Sequence, residues 1–268
     1  MCGALLQLHA AGEDPREIVR RALQLNERND EIARSYTFLE RQENDFLDGA
    51  GSVKHRDSKT WDVTLLEGSP YRRLIRRNDM PLPAKEEKEQ QENLEKSNAV
   101  RRQETPEQRQ ERIAAWEHGR KARQDELKDV PNAFDFRLIG EEEIDGVKTW
   151  VIEGRPRAGY RGHSKQSAYY LKMKGRIWVS KDDYQPVKIE AESIDTIALG
   201  AFLVRLGKGA HVHLEFARVN GEVWLPKEIR FGGAARIVLV KGLRLETDIS
   251  FSDYKKFTTE SHVVGAGQ

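Results

Sequence analysis

GRIWVSKDDYQPVKIEAE, residues 175–192, reads as a strand, a polar turn and a second strand. Ile177, Trp178 and Val179 are apolar, and Lys181-Asp182-Asp183 is a turn signal. Val187, Ile189 and Ala191 then alternate with Lys188, Glu190 and Glu192. A strand places successive side chains on opposite faces, so this pattern gives one apolar and one charged face. The question for the whole chain is what the apolar face touches.

The same pattern recurs on both sides. Phe134, Phe136 and Leu138 alternate with Asp135 and Arg137, and residues 147–153 form a return strand after Asp145-Gly146. Further strands are expected over residues 202–206, 211–218, 222–231, 236–240 and 243–251. Asp145-Gly146 and Asn220-Gly221 are hairpin pairs. In the last strand Leu243, Leu245, Ile249 and Phe251 share a face, with Arg244, Glu246, Asp248 and Ser250 on the other. Upstream, residues 36–42, 60–66 and 71–77 read as three strands, the last two joined by a turn over 67–70. Hairpin turns imply an antiparallel meander, and so large a sheet twists and curls. Its apolar side must be filled by side chains, covered by helices or left to hold a ligand.

Two helical regions accompany the strands. Asp14-Pro15-Arg16-Glu17 is a helix start, with Asp14 as cap and Glu17 at the capping-box position, and this amphipathic helix should end near Asn29-Asp30. From 84 to 129 about half the residues are charged and helix formers dominate. Thr105-Pro106-Glu107-Gln108 divides this insertion into helices over about 85–103 and 106–128. With little apolar surface beyond Leu94, Val100, Ile113, Trp116 and Leu127, it reads as a solvated hairpin or as an arm for a protein partner.

The bulk numbers exclude some classes. The chain has 268 residues, 38% hydrophobic and 33% charged, with 45 Lys+Arg against 44 Asp+Glu and a net charge of +1. That balance argues against a general nucleic-acid binder. Cys2 is the one cysteine, so there is no intrachain disulfide framework. No apolar run is long enough to span a membrane as a helix. Residues 1–13 read either as the remnant of a signal peptide, from the apolar stretch ending in His9-Ala10-Ala11, or as an ordinary N-terminus. Residues 14–268 then form a single domain carrying the insertion at 84–129.

Catalytic motifs are missing: no G-x-S-x-G, P-loop, dinucleotide fingerprint or H-E-x-x-H occurs. His211 and His213 share a strand face, but Val212, Leu214 and Phe216 form the better apolar face and turn the histidines toward water. No Cys or carboxylate at ordinary ligand spacing joins them, so no metal and no cofactor is expected. Two arginine clusters, Arg72, Arg73, Arg76 and Arg77, and Arg155, Arg157 and Arg161 followed by His163 and Lys165, read as solvated surface or as contacts to an anionic surface or lipid head group.

The segment Gly175-Arg176-Ile177-Trp178-Val179-Ser180-Lys181, followed by Gln185-Pro186-Val187-Lys188-Ile189-Glu190 and later by Glu222-Val223-Trp224-Leu225-Pro226-Lys227, resembles the outer-membrane lipoprotein-sorting proteins of the LolA-like superfamily. The resemblance implies an α+β fold in which a large curved antiparallel sheet forms an unclosed β-barrel. A covering N-terminal helix and the inserted helical hairpin would complete it, and the insertion departs from the compact carriers of that family. No functional residue of those carriers is transferred. What the resemblance implies is a non-enzymatic, exported, periplasmic carrier or binder of acyl chains of lipid or lipoprotein. Its cavity would be lined by Val187, Ile189, Val212, Leu214, Phe216, Leu243, Leu245, Ile249 and Phe251. The alternative is a sensor or scaffold module of the same fold, acting through protein contacts of its helical insertion.

Overall fold

The computed structural model describes residues 13–162, 167–199, 204–237 and 243–257. The readings made for residues 1–12 and for His163, Lys165 and Phe202 fall outside the described residues. Asp14 accepts a hydrogen bond from the Arg16 N–H (3.0 Å) and Pro15 opens α1 (Pro15–Ala33). Glu17 pairs with Arg20 one turn along. The helix runs past the expected end at Asn29-Asp30 because Ile32 and Ala33 pack on a small core of Tyr36, Val223 and Leu225. Four strands follow: β1 (Tyr36–Leu47), β2 (Val53–Leu66), β3 (Ser69–Arg77) and the two-residue β4 (Met80–Pro81). The expected strands in this part were too short, since polar residues such as Glu43, Asn44, Arg56 and Asp57 sit within the β1–β2 ladder.

The insertion folds as expected. It comprises α2 (Ala84–Arg102) and α3 (Pro106–Leu127), separated by a full capping box in which Thr105 and Gln108 satisfy each other's backbone N–H groups. Neither helix has a buried residue, yet polar contacts hold both. Arg101 donates to the Leu66 and Ser69 carbonyls at 2.9 and 3.0 Å. Ile113 lies so close over Gly68 that a Cβ there would meet it at 2.9 Å, and Gly68 also holds a φ of +87° in the β2–β3 turn. A side chain at Gly68 would therefore disturb both the turn and the seating of α3.

A single turn, α4 (Val130–Ala133), leads to β5 (Phe134–Ile144) and β6 (Val147–Pro156), then α5 (Ser167–Tyr170), β7 (Met173–Ser180) and β8 (Pro186–Ser193). Next come β9 (Ile197–Leu199), which the sequence reading lacked, and β10 (Val204–Leu206). The chain finishes with β11 (His211–Val219), β12 (Val223–Ile237) and β13 (Leu243–Lys256). Asp145-Gly146 and Asn220-Gly221 turn with positive φ at both positions, as their hairpins require. Of the strand expected over 236–240, residues 236 and 237 belong to β12, which runs on through Gly232-Gly233, and 238–240 fall outside the described residues. Glycine is needed at Gly233, which holds a φ of +141° and where a Cβ would meet the Ala210 backbone at 2.8 Å.

The strands form one antiparallel sheet in the order β4-β3-β2-β1-β13-β12-β11-β8-β7-β6-β5, with β10 and β9 branching from β12. The chain enters at the middle with β1, runs out to one edge, and crosses by the helices to the other edge at β5. It then returns until β13 pairs with β1. The expected meander is therefore split in two and rejoined. The two edges do not pair with each other, so the sheet is an unclosed barrel with α1 packed across one face.

Candidate functional site

Residues directly opposite each other in an antiparallel pair project to the same face, so the register defines rows across the sheet. One row is aliphatic on seven consecutive strands: Leu138, Ile152, Ile177, Ile189, Leu214, Ile229 and Ile249. It belongs to the face on which α1 lies, here the inner face. At the β5–β7 end, Ile18, Val19 and Ala22 of α1 close over it and form the main core with Ile152, Val179 and Tyr184. Farther along, Ile189, Leu214, Ile229 and Ile249 are only half-buried. The next row carries the small residues Gly175 and Ala191, then Val212 and Phe231, and Phe231 is 38% exposed. The aliphatic row thus runs beside a strip that is low at Gly175 and Ala191 on β7 and β8 and rises again at Val212 and Phe231, and this lane of the inner face is termed the groove.

The groove turns polar at β1. The aliphatic row ends in Gln42 and Lys59, and the adjacent row in Thr247, Asn44 and Asp57, joined by hydrogen bonds of 2.8–3.0 Å. Beside them Trp61, Glu40 and Phe251 share a row, and Phe251 meets Phe38 edge-on at 5.6 Å. Arg72 stacks on Trp61 at 3.8 Å and pairs with Glu40. Burial raises the Glu40 carboxyl above its usual range, while Arg72 pulls it back. The inner face thus has an apolar floor and a polar, charge-paired end.

The structure brings together most of the sequence-predicted lining. Ile189, Val212, Leu214 and Ile249 lie in the two adjacent rows. Leu245 stands opposite Gly233 and Phe46, and Phe216 opposite Pro226 beyond a bulge. Val187 is 3% exposed and belongs to the packed interior. Leu243 opens β13 opposite Ala235. Sequence reasoning missed Ile229, because the bulge at Lys227 breaks the alternation of β12 ahead of it.

The arginine clusters do not meet. The first lies on β3 near one edge and the second on β6 and the loop after it, near the other. Arg72, Arg73, Arg77, Arg155 and Arg157 each pair with a carboxylate, of Glu40, Asp62, Glu86, Glu153 and Asp135 respectively. Arg76 and Arg161 are exposed.

His211 and His213 do face outward, but the expectation that no carboxylate joins them is overturned. Other strands supply them: Glu246 lies 2.9 Å from His211 and Glu190 3.5 Å from His213. Within the same strand, Glu215 lies 3.0 Å from His213 Nε2, and Glu228 on β12 completes a cluster with them. Burial, and then the neighbouring Glu228, raises the nearby Asp248 carboxyl above its ordinary value.

No family model matches the chain, and no curated protein does. Among solved structures it is similar to a domain from Vibrio parahaemolyticus named as an outer membrane lipoprotein-sorting protein, at 14% identity over 91% of this chain and 95% of that one, TM-score 0.36. It is also similar to a DUF1329 family protein from Desulfovibrio piger, at 13% identity over 92% and 95%, TM-score 0.32. A LolA superfamily protein from Nitrosomonas europaea matches at 13% identity over 92% and 94%, TM-score 0.30. Likeness at this level carries no argument, and the fold assigned above rests on strand order and register.

Proposed function

We propose that the protein is a non-enzymatic binder or carrier of amphiphiles, taking the acyl chain of a lipid or lipoprotein along the groove of the inner face. One observation carries the reading: an aliphatic row continuous over seven strands, of which α1 covers one end while Ile189, Leu214, Ile229 and Ile249 stay half-buried. Covering the rest of that row would gain about 25 cal/mol per Å² of apolar surface removed from water, and a bound chain is one way to cover it. An acyl chain laid on the row gains about 0.8 kcal/mol per methylene, so about ten methylenes offset the ordering cost of binding. Its head group would lie toward β1–β3, at the polar end where Arg72 on β3, 44% exposed, stands paired with Glu40. The resemblance of residues 175–190 and 222–227 to lipoprotein-sorting proteins supports an acyl ligand and an exported, periplasmic setting.

The test is native mass spectrometry of the protein released gently from the periplasm of a bacterial host. The reading expects a mass increment of lipid size that organic extraction removes. A clean apo mass from the periplasmic fraction would contradict it and favour a scaffold acting through the α2–α3 arm.

A further inference from the structure

The geometry points to a second site, on the outer face, where His213, Glu215 and Glu228 bind a divalent transition-metal ion of the zinc class. One ligand atom of each residue lies within 4.8 Å of the other two. A tetrahedral ion with bonds of about 2.1 Å needs its ligands about 3.4 Å apart, so closure takes about an ångström of side-chain movement. The His213 and Glu215 side chains are 18% and 27% exposed, and that of Glu228 is 25% exposed, so the cluster is partly withdrawn from water yet reachable.

Three features beyond proximity argue for an ion. First, Glu215 and Glu228 stand directly opposite each other across β11 and β12, a like-charge pairing that Lys227 and Arg230 offset from the sides and that an ion would offset between them. Second, the two ring nitrogens of His213 have separate tasks. Nε2 faces Glu215 at 3.0 Å, while Nδ1 lies 3.5 Å from Glu190 Oε1. In the metal-free chain Nε2 donates to Glu215; an ion taken up there would displace that proton and leave Nδ1, on the side of Glu190, as the protonated nitrogen, the carboxylate–histidine–metal arrangement that orients ligands in metal centres. Third, a bulge occurs at this point of the ladder, where Lys227 has no partner on β11. Bulges re-aim side chains, and Lys227 leans toward Glu215 at 3.6 Å while Arg230 holds Glu228 at 2.6 Å. Each ligand therefore has its own orienting neighbour.

One imidazole with two carboxylates suits borderline ions such as Zn²⁺ or Co²⁺ better than Ca²⁺, which takes six to eight oxygens. The ion would clamp β11 to β12 directly beneath Leu214 and Ile229, which project to the other face. This assignment stands independently of the acyl-chain reading.

The full-length chain, stripped with chelator, is titrated with Zn²⁺ by calorimetry and with Co²⁺ by visible absorption. One saturable ion per chain is expected, with a Co²⁺ d–d band of low-coordinate intensity. His213→Ala and the isosteric Glu228→Gln should each weaken binding at least tenfold, with circular dichroism unchanged. His211→Ala, which removes only the partner of Glu246, should change it less than twofold. Absence of saturable binding, or binding that His213→Ala and Glu228→Gln leave unaltered, overturns the assignment.

Discussion

Asn29 stands in for a missing strand beside Trp224. Its Nδ2 donates to the Trp224 carbonyl at 2.8 Å, and its Oδ1 accepts from the Trp224 N–H at 2.7 Å. β13 pairs with β12 only from Glu228 onward, so this part of β12 would otherwise present open backbone groups. Asn29 both satisfies them and pins α1 over the inner face. Asn29→Ala should lower stability by about 2–3 kcal/mol, since it removes two hydrogen bonds and orphans a backbone pair at a buried residue. Urea denaturation should show the midpoint fall with an unchanged slope.

The insertion should loosen in acid before the sheet does. Arg112 grips Glu104 through two donors at 2.6 and 2.7 Å while also donating to the Glu67 carbonyl and Ser69 Oγ. The hydrogen bond from Arg112 holds the Glu104 carboxyl below its usual range. A carboxylate lowered in the folded state contributes stability above its unfolded pKa, about 4.3, and loses it as pH falls through the folded value. Hydrogen-exchange protection in α2 and α3 should therefore drop below about pH 4, ahead of β5–β8. Glu104→Gln should show the low protection already at neutral pH, and equal protection in the variant would count against the Arg112 clamp.

Replacing residues 85–129 by a short Gly/Ser linker should leave a cooperatively folding sheet. α2 and α3 bury no residue, and their contacts to α1, such as Arg120 to the Asp30 carbonyl at 2.8 Å and Lys128 to Glu27 at 3.2 Å, are polar. Circular dichroism should keep its sheet signal and a single thermal transition. A broad, non-cooperative melt would show instead that α3 is required to brace α1.

Where strands lie was legible because their period is two and their turns carry Asp-Gly and Asn-Gly pairs. The two helices of the insertion were legible through Thr105, Pro106 and Gln108. What was hidden is register between distant strands. Nothing local shows that Gln42 faces Ile249, or that the apolar floor ends there, because that pairing joins residues near opposite ends of the chain. The same holds on the outer face: His211 and His213 are visible in one strand, but Glu190, Glu228 and Glu246 come from three others. Long polar strands such as β1 and β2 were cut short because their charges pair across the ladder, as Arg56 does with Asp45, and do not alternate with apolar residues.

The most direct test of the central claim is titration of a fluorescent fatty acid into the wild type and into Leu214→Asp, Ile229→Asp and Ile152→Asp. Leu214 and Ile229 are half-buried in the groove, while Ile152 is 0% exposed beneath α1. The account predicts saturable wild-type binding, and a loss of at least tenfold in affinity with a small change in melting temperature for Leu214→Asp and Ile229→Asp. Ile152→Asp should unfold the protein, because it buries an unpaired carboxylate. No wild-type binding, with all three variants equally destabilised, would mean that the inner face is a filled core and would contradict the account.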